Sequence, residues 1–285
     1  MEVMMKTCEI LGGATKLLIP EYFDSITWGN IWKRKLESGT AFEWAVMAAI
    51  IKVAKDKGYN VTLPLLDNYN APDYFVLRNE IPTSHGAQVG NSDTLLRARP
   101  LRERFLYCLV PKAIIEKEGK MYSVFREGCP YHKVMSGLVY LDRTDIIIVP
   151  GAPMEGYPLI IENEKDIMFS YNYNGIAING IVSAINSPYI PVKRREPRGG
   201  LKILPQGIIE CSVNKTKEVA TEQIERYDAL FQVETEHPRF SIIVGNDLSS
   251  MPYDTHIINL DESDPEQLAS YLYKAAEGIM INFKL

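Results

Sequence analysis

Three carboxylate residues in the sequence, Glu43, Asp145 and Glu210, each stand beside a run of apolar residues. A carboxylate on a buried face is costly unless it is paired, hydrogen-bonded or near a metal. An Asp and a Glu from adjacent strands of one sheet would offer the oxygen ligands that Mg²⁺ takes together with phosphate and water. A metal held in this way can activate water and stabilise charge on a phosphate under in-line attack. The three residues are therefore candidates for a metal-dependent hydrolytic site.

Each of the three also has an ordinary structural interpretation. The Thr40-x-x-Glu43 spacing fits a capping box, in which Glu43 hydrogen-bonds the backbone at the start of a helix. Asp145 could be a solvated residue at the end of a strand or an ion-pair partner of Arg143. Glu210 could lie at the rim of a sheet or form a salt bridge. The argument for a site rests on the combination of the three residues.

The elements that would position these residues follow from hydrophobic periodicity. The clearest helix is predicted over 39–58, with Thr40 as its N-cap and Gly58 after its last turn. Residues 216–232 predict an amphipathic helix, and Asp264 with Pro265 predicts the start of another. The first 38 residues predict helical, surface-rich structure, with one helix starting at Pro20-Glu21 and ending at Lys33-Arg34-Lys35. Strands are predicted at 61–66, 74–77, 105–110, 121–125, 138–149, 207–213, 240–244 and 256–260. Strands interleaved with helices indicate an α/β or α+β fold with a mixed sheet.

Taken in order, these motifs resemble the PD-(D/E)xK nuclease superfamily, and within it the type II restriction endonucleases. The resemblance rests on Glu43 in the opening turns of its helix, on Asp145 before Ile146–Val149, and on Gly207-Ile-Ile-Glu210-Cys-Ser212. It covers about 39–58 and 138–260. It implies a restriction-endonuclease-like mixed β-sheet core flanked by helices, a Mg²⁺ cofactor, double-stranded DNA as substrate and a homodimer.

The same resemblance assigns roles to individual residues. It implies that Asp145 and Glu210 are the metal ligands and that Glu43 is a supporting acid. Ser212 stands where the family has a catalytic lysine, and Thr144 stands where the motif has a proline. Lys215 or Lys217 could supply an ammonium group from the following turn. The candidate catalytic residues are therefore Glu43, Asp145, Glu210, Ser212 and Lys215.

Two other placements of the motif remain open, one with a different second acid and one with a different Pro-Asp pair. Glu162, in Ile160-Ile161-Glu162-Asn163-Glu164, lies 17 residues after Asp145, a spacing more typical of the family than the 65 residues to Glu210. Glu210 is preferred because a predicted helix and strand follow it in the expected order. Asp73, which follows Pro72, ranks third because no acid-x-Lys pair follows at a useful distance.

The spacing between Asp145 and Glu210 requires an insertion, and the sequence places it at 151–203. We expect one nuclease domain over 1–285, with a catalytic core of 39–150 and 204–285. The insertion is expected to be irregular and to contact DNA, because Arg, Lys and Asn suit phosphates and base edges. The alternative for these basic residues is a solvated loop. The candidate DNA-binding residues, inside the insertion and upstream of it, are Asn172, Asn174, Lys193, Arg194, Arg195, Arg198, Arg97 and Arg99.

Composition limits the other classes of function. Hydrophobic residues make up 46% of the 285 residues and charged residues 24%, which is ordinary for a globular protein. The net charge of −5 argues against a protein that coats nucleic acid nonspecifically, but not against a local basic cleft. The longest apolar stretches fall short of the ~20 residues that span a bilayer, and no apolar signal region is present, so we expect a cytoplasmic protein without a membrane partner.

The sequence therefore predicts a Mg²⁺-dependent, sequence-specific endonuclease acting on double-stranded DNA. One alternative is a non-catalytic DNA-binding or partner subunit that has lost the lysine. The other is a soluble hydrolase without affinity for nucleic acid, although the chain has neither a Gly-x-Ser-x-Gly nor a Gly-x-x-x-x-Gly-Lys-Ser/Thr motif.

Overall fold

The structure is a computed structural model of the 285-residue chain, and its class is mixed α/β. The described residues divide into two compact units, which we call the helical unit (those up to 61 and from 207 onward) and the β unit (those from 62 to 206). The residues described are 2–20, 38–63, 111–126, 134–135, 138–139, 145–154, 159–160, 166–173, 175–183, 205–213, 221–222, 224–225, 239–245, 254–258, 260 and 264–285.

The central helix of the helical unit, α2 (Ser38–Asp56), confirms the helix predicted over 39–58. Its side chains from Ala41 to Ile51 are all buried, so it is a core helix and not an amphipathic surface helix. The helix begins two residues before its predicted N-cap, so Thr40 occupies a helical position and the capping-box interpretation of Thr40 is wrong. Glu43 consequently lies in the second turn of α2. After the helix, Gly58 adopts a φ of 79°, the left-handed conformation that commonly ends a helix.

Two further helices and a parallel sheet complete the helical unit. Helix α1 (Glu2–Leu18) and helix α3 (Pro265–Asn282) pack against each other and against α2. Strand β11 (Gly207–Ser212) pairs in parallel with β12 (Arg239–Gly245), which pairs in parallel with β13 (Asp254–Ile258). These strands confirm the predictions at 207–213, 240–244 and 256–260. α2 packs against β11, while α3 packs against β12 and β13.

The start of α3 follows the capping rules. The Oδ1 atom of Asp264 accepts a hydrogen bond from the Gln267 backbone N–H at 2.7 Å, and Pro265 occupies the first helical position. One face of the helix is buried through Leu268, Leu272 and Ala275, as the sequence predicts. Of the predicted helix over 216–232, the structure describes only residues 221–222 and 224–225, which are helical.

The β unit contains an antiparallel sheet with the strand that follows Asp145. Strand β2 (Ala113–Lys117) turns through Glu118 and Gly119 into β3 (Lys120–Arg126), which pairs with β6 (Ile146–Pro150). β3 and β6 confirm the predictions at 121–125 and within 138–149, whereas β2 has no counterpart among the predictions. β1 (Asn60–Thr62) overlaps the strand predicted at 61–66, and β5 (Leu138–Val139) lies at the start of the one predicted over 138–149. β4 (Val134–Met135), which pairs with β5, has no counterpart among the predictions.

The insertion is more regular than the sequence predicts. Strands β9 (Asp166–Tyr173) and β10 (Ile176–Ser183) form an antiparallel hairpin, joined on the β9 side by β7 (Ala152–Pro153) and β8 (Leu159–Ile160). The expectation of irregular structure is therefore wrong over most of 152–183. The polar and glycine residues of the insertion hide the alternation of apolar and polar side chains that would predict β9 and β10. The two strands pair with each other over eight residues.

Several predicted elements lie outside the described residues, namely the helix over 21–35, the strands at 74–77 and 105–110 and the loop at 81–93. Within the described ranges, no helix combines the length and the apolar character needed to cross a membrane.

Gly207 is required by the close approach of Phe283 to the first residue of β11. A Cβ atom at Gly207 would lie 2.1 Å from Phe283 Cε2, and Phe283 is fully buried. We expect Gly207→Ala to lower the free energy of unfolding by about 1–3 kcal/mol through overpacking, measured by chemical denaturation. Gly39→Ala is the matched control, because nothing lies within 4 Å of its added Cβ. The same Gly207→Ala cost in a Phe283→Leu background would show that the ring is not responsible.

The C-terminal turn of α2 should give a pH-dependent contribution to stability. Lys52 Nζ donates to Asp56 Oδ1 at 2.5 Å and to Oδ2 at 2.7 Å, which lowers the pKa of the Asp56 carboxyl, and Tyr273 of α3 adds a further hydrogen bond. A lowered folded-state pKa stabilises the fold above the ordinary aspartate value of about 3.9, and the contribution is lost as the pH falls through the folded-state pKa. We expect Asp56→Asn to cost less than about 1 kcal/mol at pH 7, because the pair is exposed.

The measurement is denaturant unfolding of both proteins from pH 7 to pH 3. The stability difference between wild type and Asp56→Asn should shrink toward the acid end, and Lys52→Met should follow the same profile. A difference that stays constant across this range would contradict the assignment.

Candidate functional site

Glu210 lies on β11, a buried strand of the helical unit. All six residues of β11 are buried, and the exposed fraction of Glu210 is 0%. Ile208 and Ile209 precede it, and Ile242 is its register partner on β12. A strand that is buried on both faces has a nearly continuous apolar sequence, so an interior glutamate is an exception to the pattern. The rim position considered for Glu210 is therefore wrong.

Glu43 lies on the helix that packs against this strand. Its exposed fraction is 7%, and both its neighbours, Phe42 and Trp44, are buried. Because α2 packs against β11, the two buried glutamates of the helical unit stand on elements in direct contact. The sequence separation between these elements is more than 150 residues, so only the tertiary fold brings them together.

The electrostatic requirement of these two side chains is strict. An ionised carboxylate loses its hydration on burial and remains charged only with hydrogen-bond donors or a cation nearby. The Oε2 atom of each glutamate is buried and accepts no hydrogen bond, although both residues make other interactions. Carboxylate oxygens are hard ligands, so the chemistry of this donor set fits Mg²⁺.

Asp145 belongs to the β unit, where it directly precedes β6 and is partly exposed. β6 itself is buried from Ile146 to Val149, in agreement with the predicted strand. Gln206, the residue before β11, donates its backbone N–H to the Ile148 carbonyl of β6 at 2.7 Å. Asp145 and Glu210 thus belong to different units, and their joint role remains a prediction.

The position of the motif lysine is occupied by a buried serine. Ser212 ends β11 and is 2% exposed. It shares one face of the strand with Glu210, because alternate residues of a strand point to the same side. A hydroxyl group cannot supply the positive charge of an ammonium group. Lys215, the proposed substitute, lies outside the described residues.

Of the candidate DNA-binding residues, the structure describes only Asn172. It lies near the tip of the β9–β10 hairpin and is exposed. Its Oδ1 atom accepts a hydrogen bond from the backbone N–H of Gly175 at 2.9 Å, and Gly175 has a φ of 82°. Asn172 therefore helps to build the turn. The other candidates, Asn174, Arg97, Arg99, Lys193, Arg194, Arg195 and Arg198, and the alternative acids Asp73 and Glu162, lie outside the described residues.

Two buried cations were missed by the sequence analysis. Lys112 and Arg126 are each 1% exposed, although Lys and Arg are almost never fully buried unless they are paired. Lys112 directly precedes Ala113-Ile114-Ile115, and Arg126 follows Val124 and Phe125. The position of each cation beside a run of apolar residues could have indicated its burial. The sequence gives no indication that the two apolar runs lie in one sheet.

Among the residues that the structure describes, no group of three or more His, Cys, Asp or Glu side chains comes together as a metal site. Mg²⁺ in proteins commonly takes one or two carboxylates and completes its shell with water and substrate phosphates. A magnesium proposal for this chain therefore requires one or two protein carboxylates and no larger cluster.

Comparison of the chain with protein-family models, with curated proteins and with solved structures finds no match. The argument about function therefore rests on the residues and their surroundings.

A second polar group connects the sheet of the helical unit to the end of α3. Asp254 Oδ2 accepts hydrogen bonds from Ser241 Oγ at 2.6 Å and from Asn282 Nδ2 at 3.1 Å, and lies 3.2 Å from His256 Nε2. Asn282 Nδ2 also contacts Ser241 Oγ at 3.1 Å. Gly278 permits the packing of the imidazole, because a Cβ there would lie 2.7 Å from His256 Cε1.

This group does not have the order of a catalytic triad. A triad places the histidine between the nucleophile and the acid, so that the ring accepts the serine proton. Here Asp254 lies between Ser241 and His256 and contacts both of them. The geometry is that of a structural hydrogen-bond group, which weakens the hydrolase alternative.

A structural role for Asp254 predicts a specific order of stability losses. Asp254→Ala would leave the fully buried Ser241 hydroxyl without its acceptor, so we expect a loss of roughly 1–3 kcal/mol in the free energy of unfolding. His256→Ala removes a contact that is partly exposed and should cost less. Urea denaturation of both variants measures the order, and a larger loss in His256→Ala would contradict it.

Proposed function

We propose that the chain is a Mg²⁺-dependent endonuclease with a restriction-endonuclease-like core, acting on double-stranded DNA. The observation that carries the proposal is the complete burial of Glu210 on a core strand packed by α2, whose own Glu43 is buried. Strongly enclosed carboxylates of this kind cluster at functional sites, because their burial has to be compensated. The motif order of glutamate helix, aspartate strand and glutamate strand supports the same proposal.

In this proposal Asp145 and Glu210 hold the metal, with Glu43 as the supporting acid. Bound Mg²⁺ would supply Lewis-acid stabilisation of the phosphate charge and would make water easier to deprotonate. Glu210 contributes a carboxylate whose position is fixed by the packed strand. Asp145 directly precedes β6 and is partly exposed.

The reaction is hydrolysis of a backbone phosphodiester. The water oxygen bonds to phosphorus on the side opposite the 3′ oxygen, and the bond between phosphorus and that oxygen breaks. One water proton ends on the departing 3′ hydroxyl, and the other is released from the new 5′ phosphate. Glu43, Asp145 and Glu210 form and break no bond in this reaction, and their proposed role is to hold the metal that would position the phosphate.

The β9–β10 hairpin supports DNA as the substrate. Its strands have eight residues each and belong to a four-stranded sheet with β7 and β8 on the other side of β9, and we propose that the tip of this sheet contacts the DNA. Near its tip, Asn172 and Ile176 are exposed, and Ile176 is 53% exposed. An amide group and an aliphatic group are suited to base edges and to the thymine methyl, respectively. Phosphate contacts are proposed for the basic residues outside the described ranges, and a homodimer is proposed for cleavage of both strands.

Ser212 favours a second candidate function, a non-catalytic DNA-binding or partner subunit. The buried hydroxyl group leaves the lysine position of the motif without a positive charge. A subunit of this kind would bind DNA and leave it intact.

The discriminating experiment incubates purified protein with mixed-sequence plasmid and viral DNA, with Mg²⁺ and with chelator. We expect discrete fragments only with Mg²⁺. Asp145→Asn and Glu210→Gln should each lower the cleavage rate by at least roughly 100-fold, the effect typical of removing one electrostatic contribution to a transition state. The rates are measured from single-turnover time courses.

Two controls separate the alternatives. Glu118→Gln removes an exposed glutamate on the β2–β3 turn and should leave the rate unchanged, whereas Glu162→Gln tests the other placement of the second acid. Full cleavage in chelator, or full activity of Asp145→Asn, would refute the nuclease proposal. DNA binding without cleavage would support the subunit, and absence of binding at low salt would refute both.

A further inference from the structure

The three parallel strands of the helical unit begin at the same end of their sheet. Gly207, the first residue of β11, is the register partner of Arg239, the first residue of β12. Asp254, the first residue of β13, is the partner of Ser241, which lies two residues after Arg239. Because all three strands run in the same direction, their starts lie side by side.

Two residues at the end of α3 contact all three strand starts. Phe283 is fully buried, and its ring lies so close to Gly207 that a Cβ atom there would be 2.1 Å from the Cε2 atom of the ring. The backbone carbonyl of Asn282 accepts a hydrogen bond from the guanidinium group of Arg239, and Asn282 Nδ2 donates to Asp254 Oδ2 at 3.1 Å. We call Asn282 and Phe283 the α3 clamp.

The α3 clamp is held in turn by the backbone of its own helix. The Phe283 N–H donates to the Ile279 carbonyl at 2.8 Å, and the Leu285 N–H donates to the Met280 carbonyl at 3.0 Å. Ile279 and Met280 are buried on the core face of α3. Protein interiors are close-packed and transmit strain, so a displacement of this helix end would be passed on to the strand starts.

Glu210 lies three residues after Gly207 on the same buried strand. A strand rises about 3.3 Å per residue, so the two Cα atoms are roughly 10 Å apart and Phe283 acts on Glu210 through the strand backbone. A ligand has to be held to within about 0.5 Å of its productive position. A misplacement of about 1 Å that originates far from the chemistry can lower a rate by roughly 100-fold.

We infer that the α3 clamp positions Glu210 for metal binding by fixing the start of β11 against β12 and β13. The inference rests on the proposed function for the role of Glu210 as a metal ligand. Asn282 and Phe283 are positioning residues, because they act through β11. Weakening of the α3 clamp loosens β11 while α2 stays packed.

The first test measures hydrogen exchange of backbone amides in the full chain, without metal or DNA. The amides of α2 serve as the internal reference for global unfolding. Relative to this reference, the amides of β11 should exchange at least roughly tenfold faster in Phe283→Leu than in wild type. Asn282→Ala removes the Nδ2 hydrogen bonds and keeps the backbone carbonyl. It should change the exchange in the same direction, and it carries the test if Phe283→Leu does not fold.

Leu272→Ala is the matched control. Leu272 is 1% exposed on α3 and lies ten residues before Asn282. Truncation of a core leucine lowers the global stability, so the amides of α2 and β11 should accelerate by the same factor in this variant. Equal acceleration of the two sets of amides in Phe283→Leu and in Asn282→Ala would overturn the inference.

The second test uses the Mg²⁺ dependence of DNA cleavage, at a temperature where all variants are folded. The Mg²⁺ concentration for half-maximal rate should rise at least roughly tenfold in Phe283→Leu and stay unchanged in Leu272→Ala. If the β11 amides accelerate selectively but wild type cleaves no DNA, the α3 clamp stands and the nuclease proposal falls. If wild type cleaves and Phe283→Leu keeps the wild-type Mg²⁺ dependence, the nuclease stands and the positioning role is refuted.

Discussion

The dominant constraint on this structure is the cost of burying charge. Glu210 is fully enclosed on β11, and Glu43 is nearly enclosed on the helix that packs against that strand. A charged carboxylate in an apolar core is tolerated only where hydrogen-bond donors or a cation compensate the loss of hydration. The positions of α2 and β11 therefore depend on the groups that surround these two carboxylates. The packing of α1 and α3 against α2, and of α2 against β11, holds the two glutamates in place.

The β unit shows the complementary situation. Its antiparallel sheet buries Lys112 and Arg126 at the end where Asp145 begins β6, so the positive charges there are as enclosed as the negative charges of the helical unit. Apolar residues at these positions would be cheaper to bury, and replacement of buried ion pairs by packed apolar groups is often neutral or stabilising.

One polar group of the helical unit has a structural role. Ser241, Asp254 and Asn282 satisfy one another's hydrogen-bonding capacity and attach the end of α3 to β12 and β13. The serine, histidine and aspartate residue types would have suited a hydrolase, but their order of contact is wrong for proton transfer from the serine to the ring. Geometry, and not residue type, separates this structural group from the candidate site.

The sequence by itself determined the elements that have a strong local period: α2, α3, β6, β11, β12 and β13 follow from apolar spacing and capping residues that act within a few positions. It also identified Glu43, Asp145 and Glu210, since acids beside apolar runs are visible locally. The tertiary structure alone decided the rest. The β9–β10 hairpin depends on pairing between strands, and the burial of Lys112 and Arg126 depends on which strands are neighbours. The packing of α2 against β11 joins residues more than 150 positions apart. These are long-range contacts, and a linear pattern carries no information about which distant segments share a surface.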